Sequence, residues 1–454
     1  MTEATVLALR GRRDWIASLG FGLLALALRL WHLGTPKGFV FDEVYYAKNA
    51  RSLVLHGVEI DPKSNTGEFI VHPPVGKWLI GVGIKVFGFN EFGWRISSAV
   101  IGAASIILIY WVAKKLFNNF LLSCSAAILM SADGLHLVHS RTALLDLFLM
   151  FFILLGFFAL LHSKHWWAGI AFGLAVATKW SGLYPLIGYL GFVLYVDYRA
   201  NRAMEIEEPL KATVREKALL RATQYLAVPF GVYLLSWTGW FLTSTGWDRN
   251  WANSQPHSFF SFIPAPLRSF LHYQSEILGF HQGLTTKHSY SANPWNWLIL
   301  GRPTSFFYAS PKSCGAPSCS QEVIALGTPL LWWSAIFAIA ITFGYWISKR
   351  EWQSGLLLLS FASGYLPWFL FQKRTMFSFY AIAFEPFVIL ILVYCIAKFL
   401  ERPADFKIQQ RRQWLVYIFL AVIVLNFLYF LPIFNGSVLS YQSWSNRMWF
   451  PSWI

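Results

Sequence analysis

Residues 143–162 read ALLDLFLMFFILLGFFALLH, a run with one charged residue, Asp146. A helix of about 20 apolar residues matches the thickness of the hydrocarbon layer of a bilayer. Similar stretches recur along the chain, and they predict an all-α polytopic membrane protein of about 11 transmembrane helices. We place the spans at about 15–33, 94–113, 120–137, 143–162, 166–181, 183–197, 222–243, 326–348, 352–371, 376–397 and 414–432.

The composition supports a membrane location. Of the 454 residues, 56% are hydrophobic and only 13% are charged, whereas soluble domains carry about 25% charged residues. The net charge is +15, but no basic face is free of lipid-type sequence, so we exclude nucleic acid as a partner. Lipids of the membrane are the expected surroundings.

The distribution of basic residues predicts the orientation of the chain. Lysines and arginines concentrate in the N-terminal residues and in short loops on the same side, and such loops stay in the cytoplasm. Two long segments, 34–93 and 244–325, then face outward, and the first of them is expected to be partly helical. We treat residues 1–454 as a single transmembrane domain.

The first outer segment contains two adjacent carboxylates, in Phe41-Asp42-Glu43-Val44. Transfer of a sugar to a hydroxyl needs a base to accept the proton, and a carboxylate is a usual choice. Partial burial near the bilayer surface would raise its pKa and its basicity. The alternative is a structural pair that caps a helix over 44–54.

Other polar groups at the predicted outer surface are candidates for binding a phosphate. In His72-Pro73-Pro74-Val75-Gly76-Lys77 the histidine and the lysine could reach one, although the motif could equally be a loop clamp. Arg141 and Asp146 flank the outer start of a span, where arginine suits phosphate and where the two could instead pair and lock two helices.

One basic pair, Lys373 and Arg374, lies in a short outer loop, against the trend that places basic residues inside. A lipid-linked phosphate in the outer leaflet would explain it, and ordinary headgroup binding is the alternative. Cys314 and Cys319 lie outside as well, and Gly315 and Pro317 between them favour a turn. We expect a disulfide there, with metal binding and free thiols as alternatives.

Several blocks, in order along the chain, resemble the protein O-mannosyltransferase family, specifically its actinobacterial branch. These blocks are Phe41-Asp42-Glu43-Val44, His72-Pro73-Pro74 with Lys77, Ser140-Arg141 through Asp146, Thr178-Lys179-Trp180-Ser181-Gly182-Leu183, Pro294-Trp295-Asn296-Trp297 with Gly301-Arg302-Pro303, and Met448 to Trp453. The resemblance implies the GT-C glycosyltransferase fold. Residues 244–325 are too few for the β-trefoil MIR insert of eukaryotic members.

The resemblance also implies an activity: inverting, single-displacement transfer of mannose from polyprenyl-phosphate mannose to serine or threonine hydroxyls of secreted proteins. Asp42 would be the base, and Glu43 would orient the site or hold a cation. Arg141, Lys373 and Arg374 would hold the phosphate. We assign no metal ligands and no cofactor, which leaves a divalent cation (Mg²⁺ or Mn²⁺) open.

The expected location is the cell membrane, with an extracytoplasmic active site and coupling to the Sec translocon. Two alternatives remain. A related GT-C transferase could move another sugar onto a glycolipid or cell-wall glycan. A secondary transporter or flippase would also have many spans, but it favours inverted repeats and broken midplane helices, which the sequence lacks.

Overall fold

The computed structural model describes residues 3–257, 259–401 and 405–454. The described chain is predominantly helical. Its first part contains α1 Glu3–Leu30, α2 Glu43–His56, α3 Val75–Phe87, α4 Glu91–Phe117, α5 Phe120–Ser131, α6 Gly134–His139, α7 Asp146–Leu161, α8 His165–Val176 and α9 Leu183–Ala203. A long helix over Pro209–Ser236 follows, in which α10 Pro209–Thr213, α11 Leu219–Ala222 and α12 Val228–Ser236 alternate with π-helical turns.

The remaining helices are α13 Thr238–Leu242, α14 Ala265–Gly283, α15 Pro329–Lys349, α16 Trp352–Tyr365, α17 Glu385–Leu400, α18 Phe406–Asn435 and α19 Tyr441–Ser445. Each of the predicted spans falls on helical residues. Within the described residues, five helices are long and apolar enough to cross a membrane: Glu91–Phe117, Pro209–Ser236, Pro329–Lys349, Trp352–Phe371 and Phe406–Asn435. The number of spans therefore stays a prediction.

Two small antiparallel sheets modify the all-α prediction. A hairpin of β1 Ile60–Asp61 and β2 Thr66–Gly67 lies in the first outer segment. The second sheet has the order β3-β4-β5 and combines β3 Thr304–Ala309 and β4 Cys319–Ala325 with β5 Val438–Ser440. Strand β5 is hard to predict from the sequence, because it pairs with β4 across the four helices α15 to α18.

The helices of the first outer segment have recognisable ends. Gly57 closes α2 in the left-handed conformation, with φ of 74°, which glycine adopts at little cost. Pro74 precedes α3, where a missing N–H costs nothing. Helix α4 begins at an Asn90 cap, whose side chain accepts a hydrogen bond from the Gly93 amide.

Helix α4 is the centre of the first half of the molecule, since it packs against α1, α3, α5 and α7. Helix α17 is buried along nearly its whole length and packs against α5, α15 and α16. The outer helices α2 and α3 are thereby fixed against one end of the bundle. This arrangement places the loop that contains Asp42 over the ends of several long helices.

Candidate active site

Asp42 lies at the start of α2 and is partly buried. Within the described part of the chain, no hydrogen bond reaches its carboxylate. The pKa of Asp42 is raised to about 6, because burial and the negative charge of Asp146 raise it by more than the positive charge of Lys179 lowers it. A carboxylate with this pKa is a stronger base than an ordinary aspartate and is still ionised at neutral pH.

The residue before it has an unusual backbone. Phe41 has φ of 50°, a left-handed conformation that costs a non-glycine residue on the order of 1 kcal/mol or more. Its ring is stacked on that of Phe306, with centroids 4.8 Å apart and planes at 8°, and it meets Phe377 edge to face. These contacts hold the strained residue and so fix the position of Asp42.

Glu43 is completely buried, and its carboxylate is surrounded by donors. Arg95 donates from Nε to Oε1 and from Nη2 to Oε2, both at 2.8 Å. The amides of Val40 and Ala143 donate at 2.9 Å, and Trp94 Nε1 donates at 3.2 Å. Glu43 therefore joins α2, α4 and the segment before α7, and its expected role in orienting the site stays a prediction.

Arg95 was missing from the sequence-based candidates. It is fully buried, and it also donates to the carbonyls of Leu33, Pro36 and Gly38 in the loop before Asp42. A charged residue near the start of an apolar helix could have suggested Arg95 as a candidate. Its partner Glu43 is 52 residues away in sequence, so the pairing itself could not be predicted.

Lys179 is the cation whose charge acts on Asp42. Its Nζ donates to both carboxylate oxygens of Asp146, at 2.8 and 3.1 Å, and lies 4.4 Å from the centre of the Tyr380 ring. Both side chains of the ion pair are buried. The alternative in which Arg141 pairs with Asp146 is wrong, because Lys179 occupies that position.

Arg141 contacts the end of α1 instead. Its Nη1 donates to the carbonyls of Arg29 and Trp31 at 2.8 and 2.7 Å, and its Nη2 donates to that of His32 at 3.1 Å. A cation at a helix C-terminus satisfies free carbonyls and matches the helix dipole. Its predicted contact with the donor phosphate stays a prediction, and the structure uses the guanidinium for helix capping.

A cavity of about 670 Å³ lies beside the Lys179–Asp146 pair. It brings together three predicted residues, His72, Lys373 and Arg374, with Lys179 and His281, which were not among the sequence-based site candidates. The rest of the lining is largely apolar and aromatic, from Trp180, Leu183, Tyr184, Leu278, Trp368, Phe369, Leu370 and Phe371. Three cations and an apolar wall suit an anionic head with a lipid chain.

Two stacked histidines line the inner side of the cavity, His72 and His281, with ring centroids 5.2 Å apart. Burial and nearby cations, Lys179 first, hold the pKa of His72 well below its usual value. Burial and Arg374 lower that of His281 to about 4. Both rings are therefore neutral at pH 7, and His72 would meet a phosphate as a hydrogen-bonding group without charge.

The contacts of His281 define its role. Its Nε2 lies 2.9 Å from the Val71 carbonyl, so Nε2 carries the proton, and Nδ1 accepts from Arg374 Nη2 at 3.1 Å. Arg374 Nε is buried and without a partner within the described residues, as is His72 Nδ1. The hydrogen bond to His281 thus orients the Arg374 guanidinium, and Nε can still donate a hydrogen bond to a ligand in the cavity.

Lys77 does not reach the cavity. It is buried and forms an ion pair with Glu59 that joins α3 to the loop after α2. Lys77 was predicted to contact a phosphate. In the structure its ammonium instead pairs with Glu59, and this ion pair holds the segment 34–93 together.

The remaining predicted groups lie elsewhere. Cys314 and Cys319 form a disulfide in the structure, with Cα atoms 6.0 Å apart, at the β3–β4 turn. In the described ranges, no group of three or more His, Cys, Asp or Glu residues is placed to hold a metal ion. The divalent cation stays open.

Comparison with known proteins covers nearly the whole chain. Residues 20–242 match the family model described as dolichyl-phosphate-mannose-protein mannosyltransferase, and residues 266–453 match the C-terminal four TMM region of protein-O-mannosyltransferase. The polyprenol-phosphate-mannose–protein mannosyltransferase of Mycobacterium tuberculosis is 33% identical over 97% of this chain and 92% of its own. The Mycolicibacterium smegmatis protein of the same name is 32% identical over 97% and 93%.

A solved structure shares the fold. The S. cerevisiae protein O-mannosyltransferase Pmt1-Pmt2 complex bound to the sugar donor superposes with a TM-score of 0.78 at 16% identity, over 97% of this chain and 93% of that one.

Proposed function

The chain belongs to the protein O-mannosyltransferase family, and from that we propose that it transfers mannose from polyprenyl-phosphate mannose to serine and threonine hydroxyls of proteins. One observation carries the mechanism. Asp42 offers a partly buried carboxylate without a hydrogen bond from the described residues, and its electrostatic neighbour Lys179 lines a cationic cavity.

The phosphate of the donor would lie in this cavity. Lys373 is exposed, Arg374 donates a hydrogen bond to His281, and Lys179 forms an ion pair with Asp146. The site therefore combines one exposed cation with two whose positions are fixed by these contacts. The polyprenyl chain would leave along the aromatic wall. Arg141 and Lys77 do not line this cavity, and Asp146 acts through Lys179.

The chemistry is a single displacement with inversion. The acceptor hydroxyl oxygen attacks C1 of mannose while the bond from C1 to the phosphate oxygen breaks, and Asp42 takes the hydroxyl proton. The electron pair of the broken bond stays on polyprenyl phosphate, whose growing negative charge is stabilised by Lys179, Lys373 and Arg374. A phosphate leaving group needs no general acid. Neutral His72 supplies a hydrogen bond.

The wider setting belongs to the same proposal. We place the enzyme in the cell membrane as a GT-C transferase, with Asp42 on the extracytoplasmic side, because short basic loops hold the opposite side in the cytoplasm. Secreted and membrane proteins emerging from the Sec translocon are the proposed acceptors.

A reconstituted assay tests the activity. Purified protein is incubated with radiolabelled polyprenyl-phosphate mannose and a peptide rich in threonine and proline, with the Asp42→Asn variant as the matched control. Label should enter the peptide only with the unaltered protein. Transfer to a glycolipid, use of a different polyprenyl-linked sugar in preference to mannose, or transport without transfer would each overturn the proposal.

A further inference from the structure

The sheet β3-β4-β5 has two edge strands, and within the described residues β3 pairs with β4 alone. The strand order places β5 beyond β4, so that β3 is an edge. Such an edge presents backbone donors and acceptors that can pair with another extended chain. We propose that the acceptor polypeptide binds by adding to β3 as a further strand. This inference rests on the proposed function and specifies how its protein substrate is recognised.

The second half of this edge is the accessible part of the strand. Within the described residues, the backbone hydrogen bonds of Thr304–Ala309 are those to β4, and one long contact of 3.4 Å joins the Ser305 hydroxyl to the Phe307 carbonyl. The strand is buried at its beginning and opens toward its end, where Tyr308 is 46% exposed. The accessible part is therefore the second half of β3.

The first half of β3 packs against the loop that contains Asp42, the proposed base. The β3–β4 register shifts between Ser305 and Phe307, which leaves Phe306 in a bulge, and bulges re-aim side chains near functional sites. The Phe306 ring stacks on Phe41, the neighbour of Asp42. The buried half of β3 therefore lies against the loop that contains Asp42, and an acceptor paired with the open half would continue along the strand toward that loop.

Strand addition explains how one enzyme could accept many sequences. The hydrogen bonds involve the backbone, which every acceptor has, while side chains alternate between the two faces. A proline is tolerated wherever its missing N–H would have pointed away from β3. The pairing therefore favours extended acceptor segments over helical ones, and it depends little on their amino-acid sequence.

Backbone N-methylation of the acceptor tests the proposal without altering the enzyme. A peptide with one threonine is synthesised as a series, each member methylated at one backbone nitrogen within four residues of the threonine. Methylation should raise KM by about 2- to 10-fold at every second position, where an N–H is lost to β3. The positions between should keep the KM of the parent. A blocked single threonine, too short to pair, reports the chemistry alone.

Each outcome is decisive. Equal KM across the series, or an increase without a two-residue period, would overturn strand addition while the parent peptide still receives mannose. No transfer to the parent peptide or to blocked threonine would instead overturn the proposed function, and the strand proposal with it.

Discussion

Asp42 and Glu43 are adjacent carboxylates in different surroundings, so removing the charge of each should affect stability and activity differently. Glu43→Gln is expected to destabilise the protein, and Asp42→Asn is expected to remove activity without loss of stability. The two changes have the same size and the same charge difference, so each serves as the control for the other.

The magnitude for Glu43 follows from its contacts. Oε1 accepts from Arg95 Nε and the Ala143 amide, while Oε2 accepts from Arg95 Nη2, the Val40 amide and Trp94 Nε1. Glutamine replaces one oxygen by an NH₂ group, so in either orientation at least two donors lose their acceptor and face another donor. At about 1.5–3 kcal/mol for each charge-assisted hydrogen bond, and about 3–5 kcal/mol for a broken buried pair, we expect a loss of about 3–5 kcal/mol.

Asp42→Asn loses no hydrogen bond from the described residues. Burial raises the folded-state pKa of Asp42 to about 6 from its ordinary 3.8. The folded protein therefore loses stability as the pH rises from 3.8 to about 6 and the carboxylate ionises. The Asp42→Asn variant should be at least as stable as the unaltered protein at pH 7. Its kcat should fall by about 10²–10⁴-fold. In the unaltered protein kcat/KM should rise with pH and level off above about 6, as the base becomes ionised.

Thermal unfolding in detergent, followed by size-exclusion chromatography, measures stability, and initial transfer rates at saturating donor measure kcat. Glu43→Gln should lower Tm by about 3–5 °C. The reasoning is refuted if Glu43→Gln unfolds at the parental temperature yet loses kcat as Asp42→Asn does, because Glu43 would then act directly in the reaction.

Three further outcomes follow from the placement of basic and exposed residues. Replacing Lys373 and Arg374 together by glutamine should raise KM for the lipid donor several-fold in steady-state assays, whereas Lys77→Met should leave that KM unchanged and lower Tm. Arg141→Ala should lower Tm, because α1 loses its cap, with donor KM within about twofold of the parent; a large rise in KM would restore Arg141 to the phosphate site. A cysteine at exposed Ser64 should react with a membrane-impermeant reagent in intact cells, and labelling only after permeabilisation would contradict an outward first segment.

Features that are local in the chain could be predicted from the sequence. Apolar runs indicated helices at the right places, and the family motif placed Asp42 in the first outer segment, where the structure shows a partly buried carboxylate. Lys373 and Arg374 were notable because a basic pair on the outer side contradicts the usual charge rule, and they do line the cavity.

Pairings across the chain could not be predicted in this way. Nothing near Asp146 in sequence distinguishes Arg141, five positions before it, from Lys179, 33 positions after it, as its partner. Lys77 and His72 belong to one motif, yet one faces Glu59 and the other faces the cavity. The side on which each residue falls depends on how α3 packs against its neighbours, which a motif alone does not specify.

The sheet β3-β4-β5 has a consequence for the order of biosynthesis. Its strand β5 begins at Val438, 438 − 325 = 113 residues after β4 ends at Ala325, and all of α15 to α18 lies between them. A ribosome delivers the chain from its N-terminus, so β4 cannot pair with β5 until the last long helix, α18, has been synthesised. Ribosome-bound chains that stop before β5 would have the catalytic loop and the donor cavity but an unfinished sheet. The sheet that contains β3, the proposed acceptor-binding strand, would thus be complete only when synthesis of the enzyme is nearly finished.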